Sequence, residues 1–237
     1  MDDWTQRDVL LIFDLDGTLF QSETVTVPAV RQSFHGIGLA APPDTAIHDF
    51  FGRPHADFQV WLRSLIPSAQ ADTLLASVDR RELELVGLEG RLYPGVPEML
   101  LTLRARVNRM AICTNGEREY VNRVVEAQDL GRYFDVLRHR QTDTDTKTTM
   151  VKELLARFRP EAAVMIGDRW DDVASARGNA ILSVGAGYGY GGTKELLETD
   201  AIVETPHQLP EVIDRLLGGS AWSTTQVSTS HRKGVNG

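Results

Sequence analysis

Two carboxylates stand two residues apart at the end of an apolar run. Residues 9–19 read VLLIFDLDGTL, with Asp14 and Asp16 followed by Gly17 and Thr18. On one turn, such a pair can divide a reaction: one group attacks or holds a metal, and the other moves a proton. The plain alternative is a strand running into a polar Asp-Gly turn. Three further segments carry suitable groups. Thr114 follows the apolar residues 110–113 and precedes Asn115 and Gly116; Lys147 lies in a polar loop before a helix; Asp168 follows the run 162–166, with Asp171 and Asp172 close behind. The Thr114 hydroxyl, with the backbone N–H groups of Asn115 and Gly116, can hold phosphoryl oxygens, and Lys147 can neutralise charge developing on them. Carboxylates gathered in one crevice repel one another unless a cation sits among them. Hard oxygen donors suit Mg2+. Asp171 and Asp172 also fit a helix N-terminus, where acids complement the dipole, and that reading suits Asp171 better.

The elements that must position these groups follow from hydrophobic patterning. Residues 9–13 are continuously apolar, as in a strand buried on both faces of a parallel sheet. Asp14 and Asp16 then belong at the strand's carboxyl end, where open α/β sheets form their ligand crevice. Residues 21–88 hold no convincing buried strand. Helices are expected there over 25–35, with Pro28 in the first turn, over a short stretch capped by Asp44, and over 54–66 and 68–86. From residue 93 strands and helices alternate: helices at 96–106, 117–128, 148–158, 171–177, 193–198 and 208–217, strands at 110–113, 135–137, 162–166, 180–184 and 201–203. That alternation means parallel strands joined by crossover helices. The expected organisation is α/β, a Rossmann-like parallel sheet core over 1–20 and 91–218, an inserted α-helical cap over 21–90, and a disordered tail over 219–237.

Composition sets the outer bounds. The chain has 237 residues, 42% of them hydrophobic, and a formal net charge of −8. That balance argues against nucleic acid or an anionic membrane as partner, but a locally positive site can still take an anionic substrate. The single cysteine, Cys113, excludes an internal disulfide and fits a reducing cytoplasm. The opening MDDWTQRD is acidic and polar, unlike a signal peptide, and no apolar run approaches the ~20 residues of a membrane helix. Residues 187–192 match GxGxxG but leave too little chain for a dinucleotide domain, so they read as a loop near the site.

Taken together, FDLDGT, CTNG, Lys147 and GDRWDD, in that order, resemble the four motifs of the haloacid dehalogenase-like hydrolases. The likeness runs from about residue 9 to 217. It implies Asp14 as nucleophile, Asp16 as general acid and base, and Thr114 and Lys147 as phosphoryl-binding groups. It further implies Mg2+ held by Asp14, Asp168 and the Asp16 carbonyl, with Asp172 supporting. LYPGV and the segment 183–209 resemble the phosphoglycolate phosphatase-like group. The chain departs from that group at Thr148, at Asn115-Gly116 and at Arg169. Asp16 favours phosphate esters, since an alkoxide leaving group needs a proton donor. Arg53, in a Gly-Pro turn between helices of the insert, either pairs with a substrate anion or is a plain exposed arginine. The resemblance implies a cytoplasmic phosphatase, monomer or homodimer, acting on a small phosphorylated metabolite, phosphoglycolate first. A sugar phosphomutase of β-phosphoglucomutase type, or a nucleotide monophosphatase, is the alternative. A receiver-type signalling module would use a similar Asp, Thr and Lys, but is about half this length.

Overall fold

A computed structural model describes residues 7–142 and 144–218; the tail expected over 219–237 lies outside them. Six parallel strands form one sheet in the order β3-β2-β1-β4-β5-β6. They are β1 (Val9–Phe13), β2 (Arg109–Thr114), β3 (Val136–His139), β4 (Ala162–Gly167), β5 (Leu182–Ala186) and β6 (Ala201–Val203). β1 is central and buried along its whole length. Leu11 and Phe13 pack into one face with Met99, Leu100 and Val124, while Leu10 and Ile12 face Met150, Val151 and Ala176 on the other. This two-sided burial accounts for the unbroken apolar run. The strand order reverses between β1 and β4, which opens the crevice at their carboxyl ends.

Helices α1 (Glu23–Gly36), α2 (Asp44–His48), α3 (His55–Ser64) and α4 (Ser68–Leu88) form the insert. They close their own apolar cluster, with Val30, Phe34, Leu62 and Leu74 at its centre. The chain enters and leaves the insert through paired backbone. Phe20 bridges Leu92, the Gln21 N–H donates to the Arg91 carbonyl (2.9 Å), and the Tyr93 N–H donates to the Leu19 carbonyl (3.0 Å). The remaining helices, α5 (Val96–Arg104), α6 (Arg118–Ala127), α7 (Lys147–Phe158), α8 (Trp170–Gly178) and α9 (Leu209–Gly218), cover the sheet.

Several boundaries differ from the sequence reading, each for a local reason. α1 starts two residues early, so Pro28 sits in its second turn rather than its first. Asp44 is the first residue of α2, and Pro43 occupies the capping position. Lys147 is the first residue of α7, not a loop residue, because Thr146 caps that helix and its hydroxyl accepts the Thr149 N–H at 3.2 Å. β5 begins at Leu182 because the chain leaves α8 through Ala180 in a left-handed conformation, φ +53°. The helix expected over 193–198 is a single 3-10 turn, Thr193–Glu195. Glu195 turns back to accept from the Trp170 N–H (3.0 Å), and Leu196 is buried against Gly185.

Candidate active site

The strand ends bring the acids together. Asp14 leaves β1 with its N–H donating to the Ile166 carbonyl of β4 (2.8 Å), so Asp14 and Asp168 are set side by side by the sheet itself. Carboxylate oxygens of Asp14, Asp168 and Asp172 lie within 4.8 Å of one another, and all three residues are buried. Lys147 enters from the start of α7, with Nζ 3.0 Å from Asp14, 2.7 Å from Asp172 and 3.6 Å from Asp171. Thr114 is buried at the end of β2. Its Oγ1 accepts the Gly116 N–H at 3.1 Å, so that amide orients the threonine hydroxyl instead of standing free for a phosphoryl oxygen.

Glycines make this crowding possible. Gly17 has φ +81°, and a Cβ there would stand 2.3 Å from Asp168 Oδ2. A Cβ on Gly191 would stand 1.7 Å from the Asp168 carbonyl oxygen. The loop 187–192 therefore wraps Asp168, and the N–H groups of Tyr190 (2.7 Å) and Gly191 (3.2 Å) both donate to its Oδ2. The GxGxxG match serves this wrapping, as its expected place near the site implied.

The electrostatics of the cluster are those of acids crowded together out of water. Burial pushes the Asp14 carboxyl up to about 7; Lys147 pulls it down, and Asp168, Asp171 and Asp16 push it further up. Burial also raises Asp168 and Asp172 well above the carboxylate range. Lys147 is held well above its ordinary value, because its three carboxylate partners outweigh its desolvation. One lysine cannot balance four carboxylates once they ionise in a place water barely reaches, so without a further cation, burial keeps protons among them. Asp14 Oδ2 is buried there without a hydrogen-bond partner. An all-oxygen donor set of this kind fits a divalent cation such as Mg2+.

Asp16 faces elsewhere. Ser22 Oγ (2.5 Å) and the Tyr120 hydroxyl (2.7 Å) both donate to its Oδ1. Both bonds hold the carboxyl through the same oxygen. Burial raises the Asp16 carboxyl, with Ser22 and Tyr120 opposing. Its side chain is not among the three clustered carboxylates, so any part it has in holding a metal would fall to its backbone carbonyl. It opens instead on a cavity of about 160 Å3 between the insert and the sheet layer, walled by Phe50, Phe58, Arg53, Glu82 and Tyr120. Arg53 is exposed at that wall, its guanidinium 5.4 Å from the centre of the Phe50 ring.

Three contributors, Ser22, Tyr120 and Tyr190, escaped the sequence reading, and so did the side-chain role of Asn115. Ser22 and Tyr120 orient Asp16, but Tyr120 lies 104 residues away and no spacing announces it. Asn115 Nδ2 donates to the Gly52 carbonyl of the insert (3.0 Å) and to Asp171 (2.7 Å), which draws Asp171 into the site beyond its role at a helix start. Tyr190 joins the insert's apolar cluster, packs against Phe51 with ring centres 4.6 Å apart and planes tilted by 47°, and donates its hydroxyl proton to Glu23.

This geometry, a parallel α/β layer with clustered acids at its switch point beneath a helical insert, defines a class of aspartate-centred hydrolases. The model of the haloacid dehalogenase-like hydrolase family matches residues 10–179, and the chain belongs to that family. Tyrosine-protein kinase PtkA of Mycobacterium tuberculosis is 29% identical over 83% of this chain and 68% of its own length. Phosphoglycolate phosphatase of Synechococcus elongatus is 28% identical over 87% of this chain and 98% of its own. Among solved structures, a predicted phosphoglycolate phosphatase from Haemophilus somnus superposes with a TM-score of 0.78 at 19% identity, covering 86% of this chain and 97% of that one; it shares the fold. No helix among the described residues is long and apolar enough to cross a membrane.

Proposed function

We propose that this chain is a Mg2+-dependent phosphatase that hydrolyses small phosphate monoesters through a phosphoryl group carried on Asp14. The observation that carries this reading is the division of the acids. Asp14, Asp168 and Asp172 cluster, with Lys147 against Asp14 and Asp172, while Asp16 is held apart by Ser22 and Tyr120 in the cavity wall. A cation bound by Asp14, Asp168 and the Asp16 carbonyl, with Asp172 in support, would offset repulsion between the attacking carboxylate and the phosphate. Asp14 attacks phosphorus in line with the leaving oxygen and becomes the acyl phosphate. Asp16 hands its proton to the departing alkoxide. It then takes one from the water that hydrolyses the acyl phosphate, returning both residues to their starting state. Thr114 and Lys147 hold the transferring oxygens.

The sheet layer and the insert act as separate core and cap domains in this reading, with the cap shutting bulk water away during transfer. A cavity of about 160 Å3 is small beside the ~300–1,000 Å3 of sites for drug-sized ligands. That size favours a compact metabolite over a protein side chain, and so over the substrate implied by a tyrosine kinase's name. Phosphoglycolate, from the relatives that bear its name, is the reference substrate, and a buried lone thiol suits a cytoplasmic setting. A screen of small phosphate esters with and without Mg2+, with Asp14→Asn as control, tests the proposal. Mg2+-dependent phosphate release, lost in the variant, is expected. No release from any ester would overturn it, and isomerised sugar phosphate in place of free phosphate would make the enzyme a phosphomutase.

A further inference from the structure

The cavity under the insert is lined unlike a site for a carboxylate. Five of its lining residues are acids: Asp16, Asp79, Glu82, Glu117 and Glu119. Two of its lining residues are basic. His55 is already committed, 3.3 Å from Asp79. Arg53 lies on the exposed side, over the Phe50 ring. The acids are positioned rather than loose. Asp79 and Glu82 are i and i+3 on α4, so both look from one helix face. Thr26 of α1 donates its hydroxyl proton to Glu82 Oε1, and Gln59 donates to Asp79 Oδ2 (3.3 Å). Phe50, Phe51 and Phe58 line the same space. Carboxylates beside aromatic faces make an environment that attracts ammonium groups, through charge and through the ring quadrupoles together.

An independent observation ties this lining to substrate. Asp16, the proton donor in the function proposed above, lines this cavity together with Ser22 and Tyr120, the two residues that hold its carboxyl. The leaving oxygen must meet Asp16, so the alcohol half of the ester extends into the acid-lined space while the phosphoryl group lies toward Asp14 and Lys147. On these grounds, and resting on that phosphatase reading, we infer that the preferred substrate is the phosphate ester of a short alcohol bearing a cationic amine. Glu82 and Asp79 are the residues that select it. A carboxylate in the same place would face Asp79 and Glu82, and the one lining cation not already bonded to an acid, Arg53, stands at the exposed edge. The cavity's volume limits the alcohol to a few carbons.

Two esters of equal length provide the test: 2-aminoethyl phosphate and phosphoglycolate, with 2-hydroxyethyl phosphate as the neutral member. The wild-type enzyme with Mg2+ is expected to show kcat/KM at least roughly tenfold higher for the amine than for the carboxylate, the neutral ester falling between. Glu82→Gln and Asp79→Asn should each reduce the amine-to-carboxylate ratio several-fold, chiefly through KM of the amine. The ratio within one preparation cancels any loss of folded enzyme. A carboxylate ester turned over as well as the amine overturns the inference, as does a ratio unmoved in the Asp79→Asn/Glu82→Gln double variant. Turnover of 4-nitrophenyl phosphate separates the two levels. If it proceeds with Mg2+ while the amine has no advantage, only the substrate class fails; if no ester at all is cleaved, the phosphatase reading falls and takes this one with it.

Discussion

Asp14→Asn should stabilise the metal-free protein, and the size and pH window of the gain follow from the site. Asp14 is 1% exposed, and its carboxyl is pushed from an ordinary 3.8 to about 7. A carboxyl raised on folding binds its proton more tightly in the folded state. The associated stability is therefore complete below pH 3.8 and is lost as pH climbs through about 7. The rise is about three units, and at ~1.4 kcal/mol per unit it amounts to ~4 kcal/mol at pH 8. Asp168 and Asp172 are raised as well and act in the same direction. Asp145 is lowered through the Gln141 N–H and Arg138 and works in the opposite sense, but below the ordinary carboxyl range and so outside this window. An asparagine keeps the shape, cannot ionise, and leaves Lys147 its bonds to Asp172 and Asp171. After relaxation around the site, a gain of about 2–4 kcal/mol is expected at pH 8 without metal, shrinking toward nothing near pH 4. For a chain of this length that is roughly 4–16 °C in melting temperature. Thermal melts of wild type and variant in EDTA, from pH 4 to pH 9, measure it. Mg2+ should raise the wild-type midpoint more at pH 8 than at pH 5 and raise that of the variant little. An asparagine variant less stable than wild type at pH 8 without metal would refute the reasoning.

Other perturbations separate the parts of the site. Lys147→Met leaves Asp14, Asp171 and Asp172 without their cation, so the metal-free protein should lose about 3–5 kcal/mol in chemical denaturation and turnover should fall by at least roughly a hundredfold. Asp16→Asn should lower turnover by about 10²–10⁴ while the Mg2+-dependent rise in melting temperature persists, because its side chain faces the cavity; loss of that rise would place the Asp16 carboxylate on the metal. Gly17→Ala combines a positive φ with a Cβ driven into Asp168, and calorimetry should show about 2–4 kcal/mol of destabilisation together with weaker Mg2+ binding.

The strands and the four motif segments were legible because each rests on a local signal. β1 is an apolar run long enough to need burial on both faces, and Asp14 and Asp168 each follow such a run directly. Helices α3 and α4 were legible because Phe58, Leu62, Leu74 and Val78 repeat at helical spacing toward one cluster. What escaped depended on contacts between distant segments. Tyr120 reaches Asp16 from 104 residues away and Asn115 finds Gly52 and Asp171 only across the crevice, while Ser22, 6 residues beyond Asp16, reads as an ordinary polar residue before a helix. The shortened turn at Thr193–Glu195 escaped because the leucines and glutamates of residues 195–198 favour a helix locally, while the pull of Arg169 and Trp170 on Glu195 is tertiary. The acidity of the cavity was hidden for the same reason: Asp79 and Glu82 read as ordinary charges on an amphipathic helix, and only α1 and α6 beside them turn that face inward.

The paired backbone at Phe20 and Leu92 gives the four-helix segment the character of an exchangeable cassette. Its two ends already sit side by side, so a change in its length between them need not move the strand that bears Asp14, provided Val25, Ala29, Leu85 and Val86 keep their places in the core beside that strand. Chemistry and choice of substrate can then drift independently over evolutionary time. For the engineer, grafting a relative's helices at these two residues is the shortest route to giving this catalytic layer a new diet.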